Sequence, residues 1–219
     1  MADEASRQGT IYWTPEILAF VEKLHAGHDE HLQRAFDAPG IHGMPAIQVG
    51  VSEGKLLGLL LNLSGAKKVV EVGTLAGYSA LWMARHLPPD GHLWSIELEP
   101  KHMDVAQANL KAAGMKDRAT LLEGPALDIL GILEKHGPFD AVFIDADKGN
   151  YDRYGRWAAK HLRPGGLLLA DNAFYFGRLL EDSPEAAAVR RFHQEVPAYF
   201  DSVCIPTPDG LLLGIRRHA

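Results

Sequence analysis

Two clusters of polar residues in this chain stand directly after apolar runs, and their side chains are the ones that could do chemistry. Asp145, Asp147 and Lys148 follow Ala141-Val-Phe-Ile144, and Asp171-Asn172 follow Gly166-Leu-Leu-Leu-Ala170. Each run has the length and composition of a buried strand, so the polar groups sit at strand C-termini, where open α/β sheets bind ligands. If the two strands are neighbours, Asp145, Asp171 and Asn172 converge as three oxygen donors. Hard divalent cations, Mg²⁺ above all, take such ligands and keep positions open for water or substrate. A single Asp or Asn at a strand end could be no more than a turn former. Two loaded strand ends, with a lysine one turn beyond the first Asp, favour a metal site with Lys148 beside it.

A third stretch offers a ligand-binding turn. Val69, Val70 and Val72 read as a strand, Gly73 and Gly77 break it, and Tyr78 to Arg85 reads as a helix. Strand, glycine turn and helix together present backbone N–H groups and a helix N-terminus to a ligand. The glycines sit four apart with Leu75 between them, so neither the dinucleotide pattern G-x-G-x-x-G nor the phosphate loop ending in Gly-Lys-Ser/Thr is present. The next strand, His92 to Glu97, ends in an acid about 20 residues beyond the turn, the place from which such folds bind ribose hydroxyls. That suits a nicotinamide or an adenosyl ligand equally.

The elements that must position these groups alternate. Helices are expected over Gly54–Gly65, Pro100–Gly114, from Ala126 through Leu133, and over Pro184–Glu195, and a third strand over Ala119–Glu123. Such alternation gives an α/β fold, a mainly parallel sheet with helices on both faces. Pro206-Thr-Pro-Asp-Gly210 between Tyr199–Ile205 and Leu211–Arg216 reads as a hairpin, so the sheet should close with an antiparallel strand. Upstream, Thr14-Pro15-Glu16 is a helix start, and apolar spacing continues the helix to about Ala38. Pro39 to Pro45 is expected as a loop, and Ile47–Gly54 lies where it could close over a ligand at the glycine turn. His25, His28 and His31 recur every three residues, but no Cys or paired carboxylate completes a metal set around them.

Composition bounds the rest. At 219 residues a single domain is expected, and 47% apolar with 23% charged residues is ordinary for a globular chain. A net charge of −6 without a Lys/Arg run argues against nucleic acid or an anionic membrane as partner. The single Cys204 excludes an intramolecular disulfide and a CxxC metal site. The polar N-terminus lacks the apolar core of a signal, and no apolar run nears the ~20 residues of a membrane span. A soluble cytoplasmic protein is the expectation.

Taken together, the motifs resemble a family: the cation-dependent O-methyltransferases, which include catechol and caffeoyl-coenzyme A O-methyltransferases and small bacterial relatives. The similarity runs from about Met44 to the C-terminus. It rests on Val-Glu-Val-Gly-Thr-Leu-Ala-Gly-Tyr-Ser-Ala-Leu (70–81), Phe-Asp-Ala-Val-Phe-Ile-Asp-Ala-Asp-Lys-Gly-Asn-Tyr (139–151) and Leu-Arg-Pro-Gly-Gly-Leu-Leu-Leu-Ala-Asp-Asn (162–172). The resemblance implies a single-domain, Rossmann-like S-adenosylmethionine methyltransferase fold over 1–219, in which 1–45 contribute to the substrate site or an oligomer contact. By it, Glu71, Gly73, Thr74 and Ser79 match the S-adenosylmethionine loop, Glu97 the ribose acid, Ala126 the adenine-side turn and Val49 a backbone contact to the methionine end. Asp145, Asp171 and Asn172 match the metal ligands, Asp145 also bordering the cofactor, and Lys148 matches the catalytic base. The implied reaction is methyl transfer to a hydroxyl of a catechol-type small molecule, with Mg²⁺ or a similar cation, in a homodimer. Tyr175 stands where many relatives have Trp, and Phe176 where they have a polar residue. Both changes fall at the expected acceptor ring, and two consecutive aromatics there are expected to form part of its wall, the alternative being that one of them packs in the core. The rivals are an NAD-dependent oxidoreductase, disfavoured by the missing middle glycine, and a non-catalytic S-adenosylmethionine sensor, which leaves Lys148 without a role.

Overall fold

The apolar runs form one seven-stranded sheet in the computed structural model, which describes residues 3–218. The strands are β1 (Lys68–Val72), β2 (His92–Glu97), β3 (Ala119–Glu123), β4 (Phe139–Ile144), β5 (Leu162–Ala170), β6 (Phe200–Ile205) and β7 (Leu211–Arg216). Their spatial order is β3-β2-β1-β4-β5-β7-β6. The first five run parallel, while β7 pairs antiparallel with both β5 and β6. The chain order reverses between β1 and β4, the place where such sheets open a crevice for ligands.

Burial follows the side-chain period of two. Val70, Val142 and Leu168 join the core on one face, and Val69, Phe143 and Leu169 join the core on the other. Each such large side chain contributes about 1.5–3 kcal/mol by leaving water, and strands covered on both faces explain why the runs show no polar alternation. The helices are α1 (Glu4–Arg7), α2 (Pro15–His25), α3 (Glu30–Ile41), α4 (Val51–Ser64), α5 (Tyr78–His86), α6 (Pro100–Ala112), α7 (Ala126–Leu133), α8 (Tyr151–His161) and α9 (Pro184–Tyr199).

Two expectations near the N-terminus are corrected. The helix expected from Thr14 to about Ala38 is two helices, because Asp29 starts a new one by accepting the N–H groups of His31 and Leu32 at 3.1 and 2.9 Å. Thr14 does cap the first, accepting Ile17 N–H. Pro39 to Ile41 are not loop but the last turn of α3; a proline near a helix C-terminus forfeits only one N–H bond there. His28 lies in the break and bonds Gln33 and Tyr78, at 3.1 and 2.7 Å. Helix α4 begins three residues before the expected Gly54, which instead lies against Trp82: a Cβ there would come 2.4 Å from the ring.

Register sets up the site. Val72 pairs with Ile96 on one side and Ile144 on the other, and Ile144 pairs with Ala170. The residue after each of these is Gly73, Glu97, Asp145 or Asp171, so one edge of the sheet carries all four side by side. Backbone bonds continue the ladder across that edge, from Gly73 N to Ile96 O (3.0 Å), Asp145 N to Val72 O (2.8 Å) and Asp171 N to Ile144 O (3.0 Å).

Candidate functional site

Above that edge lies a cavity of about 920 Å³, the size range of small-molecule and cofactor sites. Its floor at β1 is the glycine turn. Gly73 has φ 99°, and a Cβ there would sit 1.9 Å from the Asp145 carbonyl oxygen, so no other residue fits. Gly77, at φ 80°, opens α5, which puts that helix's free N–H groups and dipole toward the cavity. Glu97 holds the turn in shape. Its Oε2 accepts Thr74 N–H (3.2 Å) and Leu75 N–H (2.7 Å), while Oε1 accepts Leu98 and Glu99 N–H at 2.9 and 3.0 Å.

Val49, Gly73, Thr74, Ser79, Glu97 and Ala126 border the cavity toward β1–β3, and Asp145, Lys148, Asp171 and Asn172 border it toward β4 and β5. Glu71 is the site residue that does not reach it. It is fully buried beneath the turn, where Ser79 donates to its Oε1 at 2.5 Å and Ser95 meets its Oε2. Burial pushes its carboxyl up to about 8, against the pull of the two serines.

At the β4–β5 end the carboxylates of Asp145 and Asp171 face each other. Both are raised from the ordinary range, first by burial; Asp145 and then Glu53 add to it for Asp171, and Asp209 adds to it for Asp145. Lys148 partly offsets this, its Nζ lying 3.3 Å from Asp145 Oδ1. The lysine is itself held: Nζ donates to the Tyr151 hydroxyl at 2.6 Å, and that hydroxyl donates to the Asp171 carbonyl at 2.8 Å. Asn172 has a left-handed backbone, φ 52°. No group of three or more His, Cys, Asp or Glu placed to hold a metal ion occurs among the described residues; the oxygen donors that Asp145, Asp171 and Asn172 offer here are two carboxylates and one side-chain amide. An all-oxygen set carrying uncompensated negative charge fits a hard divalent cation and leaves it open positions.

The two consecutive aromatics part ways. Phe176 is exposed and lines the cavity, whereas Tyr175 is buried in the core beneath it. Several lining residues are not singled out as site residues from the sequence, Gln48, Glu53, His102 and Asp209 among them. Glu53 reads as a helix-start acid and Asp209 as part of a Pro-Asp-Gly turn; only the fold turns them toward the same cavity. Of the segment Ile47–Gly54, Ile47 to Gly50 and Glu53 line the cavity, while Val51 onward belongs to helix α4.

Comparison with known proteins places this geometry. A family profile described as O-methyltransferase matches residues 26–217. A catechol O-methyltransferase from Niastella koreensis is 44% identical, covering 90% of this chain and 95% of its own length. A caffeoyl-CoA O-methyltransferase from Zea mays is 33% identical over 78% of this chain and 71% of its own. Among solved structures, an O-methyltransferase from Streptomyces achromogenes in complex with SAM superimposes with a TM-score of 0.87 at 33% identity, covering 99% of this chain and all of that one. With a parallel sheet closed by an antiparallel hairpin and a ligand cavity at its switch point, the chain belongs to the S-adenosylmethionine-dependent O-methyltransferase family.

Proposed function

We propose that this enzyme methylates one hydroxyl of a vicinal diphenol in a reaction that depends on a divalent cation, Mg²⁺ or similar. The observation that carries the reading is the convergence of Asp145, Asp171 and Asn172 with Lys148 on the cavity that also holds the glycine turn. When bound, S-adenosylmethionine would supply an electrophilic methyl group, and the cation would act as a Lewis acid toward the phenolic acceptor. The chain's own residues do the rest. The glycine turn with Ser79, Glu97 and Ala126 would hold S-adenosylmethionine, with Val49 toward its methionine end. Asp145, Asp171 and Asn172 hold the cation. Lys148, as the neutral amine, accepts the phenolic proton at Nζ, oriented by Tyr151. Phe176, Ile47 and Pro208, which line the same cavity, exclude water and fix the ring, and such positioning supplies several kcal/mol of barrier lowering. Methyl transfer from labelled S-adenosylmethionine to a panel of catechols, with Mg²⁺ and with chelator, tests it. Undiminished transfer in chelator refutes the metal; no transfer to any diphenol refutes the acceptor.

The N-terminal segment supports a homodimer. Ile17, Phe20 and Leu24 form one stripe of α2 and are 49%, 66% and 62% exposed, and no residue of α2 is buried. Glu22 on this helix accepts Ser52 N–H at 3.0 Å, tying it to the start of α4 at the cavity mouth. A second copy of the chain covers the stripe.

A further inference from the structure

Three contacts from α3 and its flanks meet the glycine turn from the side away from the cavity's contents. The turn is strained: Leu75, between Gly73 and Gly77, has φ 50°, a left-handed backbone that a side chain disfavours. Strain of this kind persists only where the surroundings hold it. Glu97 holds the first half of the turn through the Thr74 and Leu75 N–H groups. The second half is held from α3. Arg34 Nε donates to Asn109 Oδ1 at 3.1 Å, and Asn109, buried on α6, donates from Nδ2 to the Ala76 carbonyl at 2.9 Å. His28, the residue before the Asp29 cap, bonds the Tyr78 hydroxyl at 2.7 Å. Leu75 itself packs against the cluster of Ala38, Met44, Ala76 and Val105, of which Ala38 belongs to α3.

These contacts are directional. Gln33 Nε2 donates to Asp37 Oδ2 at 2.8 Å, which turns its amide oxygen toward His28 Nδ1 at 3.1 Å. An amide oxygen only accepts, so Nδ1 carries the proton, and Nε2 of the neutral ring accepts from Tyr78. Burial pushes the Tyr78 hydroxyl up to about 12, so it keeps its proton to donate. Ala76 and Tyr78 flank Gly77, which opens α5, and both line the cavity with Leu75. His28, Arg34 and Asn109 do not line it. We infer that His28, Arg34 and Asn109 are positioning residues for the cofactor, through which α3 fixes the glycine turn in its ligand-binding shape without touching the ligand. A turn already held in that shape has little ordering left to lose on binding, so releasing the hold lowers affinity.

This inference rests on the reading that the glycine turn holds S-adenosylmethionine, and it is independent of the acceptor and the cation. The test is Kd for S-adenosylmethionine by titration calorimetry, beside Tm, in Arg34→Met, His28→Phe, Glu97→Gln and Arg85→Met. Arg85 pairs with Asp29 at 2.8 Å, a contact between the start of α3 and the far end of α5 that does not reach the turn. Arg34→Met and His28→Phe should each raise Kd by about twofold to tenfold, the net worth of one hydrogen bond. Arg85→Met should leave Kd unchanged, whatever it does to Tm. Asn109→Ala should raise Kd as well, and adding Arg34→Met to it should raise Kd no further, because Arg34 acts through Asn109. If Asn109→Ala does not fold, Arg34→Met and His28→Phe decide alone. An unchanged Kd in Glu97→Gln overturns the reading of the turn itself. A Kd raised in Glu97→Gln but unchanged in Arg34→Met and His28→Phe overturns the positioning role alone. A Kd that rises in step with lost Tm in every variant, Arg85→Met included, also overturns it and leaves these contacts a purely structural part.

Discussion

At the scale of single residues, the hydrogen atoms beneath the glycine turn can be counted. Thr74 Oγ1 lies 3.1 Å from the Ile96 carbonyl, which only accepts, and 2.5 Å from Ser95 Oγ. Thr74 therefore donates to the carbonyl, and Ser95 spends its one proton on Thr74. Two hydroxyl protons cannot serve three contacts, Ser95 with Glu71 Oε2 being the third, so a proton on Glu71 completes the set. That agrees with a folded-state value near 8 against 4.5 when exposed, set by burial. The folded chain then holds a proton that the unfolded chain releases, so stability falls as pH rises from about 4.5 to about 8. Glu71→Gln keeps a donor and an acceptor in the same shape and should flatten this decline, judged by Tm between pH 6 and 9; each kcal/mol is worth about 2–4 °C in a chain of this length. Parallel slopes in the two proteins would mean that Glu71 is ionised when folded. Lys148 gives the catalytic counterpart. Lys148→Arg keeps the charge but does not release a proton at neutral pH, so kcat should fall by about 10²-fold or more with cofactor affinity preserved, and partly recover at high pH. Near-normal kcat would leave Lys148 a purely electrostatic role. Spacing alone exposes Glu97, Asp145 and Asp171 in the sequence, because strand ends are legible from apolar runs. The direction of a proton between Glu71 and Ser95 is not, since it depends on a hydroxyl from another strand.

At the scale of elements, the strands are legible to within two residues except β5, which starts at Leu162 rather than Gly166, while helix α8 and the break between the N-terminal helices are not, for a physical reason. Strands buried on both faces need uninterrupted apolar runs, and nothing else in the sequence imitates them. The break at Gly27-His28-Asp29 was hidden because apolar spacing continues through it while the Asp29 cap, a single side chain, decides it. The aromatic pair after Asn172 shows the same limit. Tyr175 and Phe176 both take left-handed backbones, φ 50° and 53°, a conformation that costs non-glycine residues about 1–3 kcal/mol. The turn is fixed by Phe176 N–H on Asp209 Oδ1, and it sends one ring into the core and the other to the cavity. Phe176→Leu should therefore shift the ratio of the two monomethyl ethers formed from an unsymmetrical catechol, with little change in Tm. Tyr175→Leu should lower stability by about 1–3 kcal/mol and leave the ratio alone. Chromatographic product ratios and thermal melts on both variants decide it, and a ratio that moves only with Tyr175 would reverse the assignment of the two rings.

At the scale of the whole molecule, two surfaces stand against the ordinary balance of a folded chain. One is the apolar stripe of α2, and Phe20→Glu should convert a dimer to monomers in light scattering if a second copy covers it; a wild-type monomer at micromolar concentration would remove the dimer. The other is the cavity, where the negative charge of a chain with net −6 is held in a poorly solvated space. Without a cation, Asp145 and Asp171 are both raised by burial, Asp171 further by Asp145 and Asp145 further by Asp209, so folding works against this burial of like charge. A bound cation turns that penalty into affinity, and a ligand at 100 times its Kd stabilises the fold by about 2.7 kcal/mol. Mg²⁺ should thus raise the wild-type Tm by several degrees, and chelator should reverse it. Asp171→Asn removes one of the two opposing charges while keeping an oxygen of the same size. It should melt at or above the metal-free wild type, show little response to Mg²⁺, and lose metal-stimulated methyl transfer. A purely structural Asp171 predicts the opposite pattern: a lower Tm in the variant and an unchanged response to the cation. Tm with and without Mg²⁺ therefore reads the charge of the site without any acceptor present.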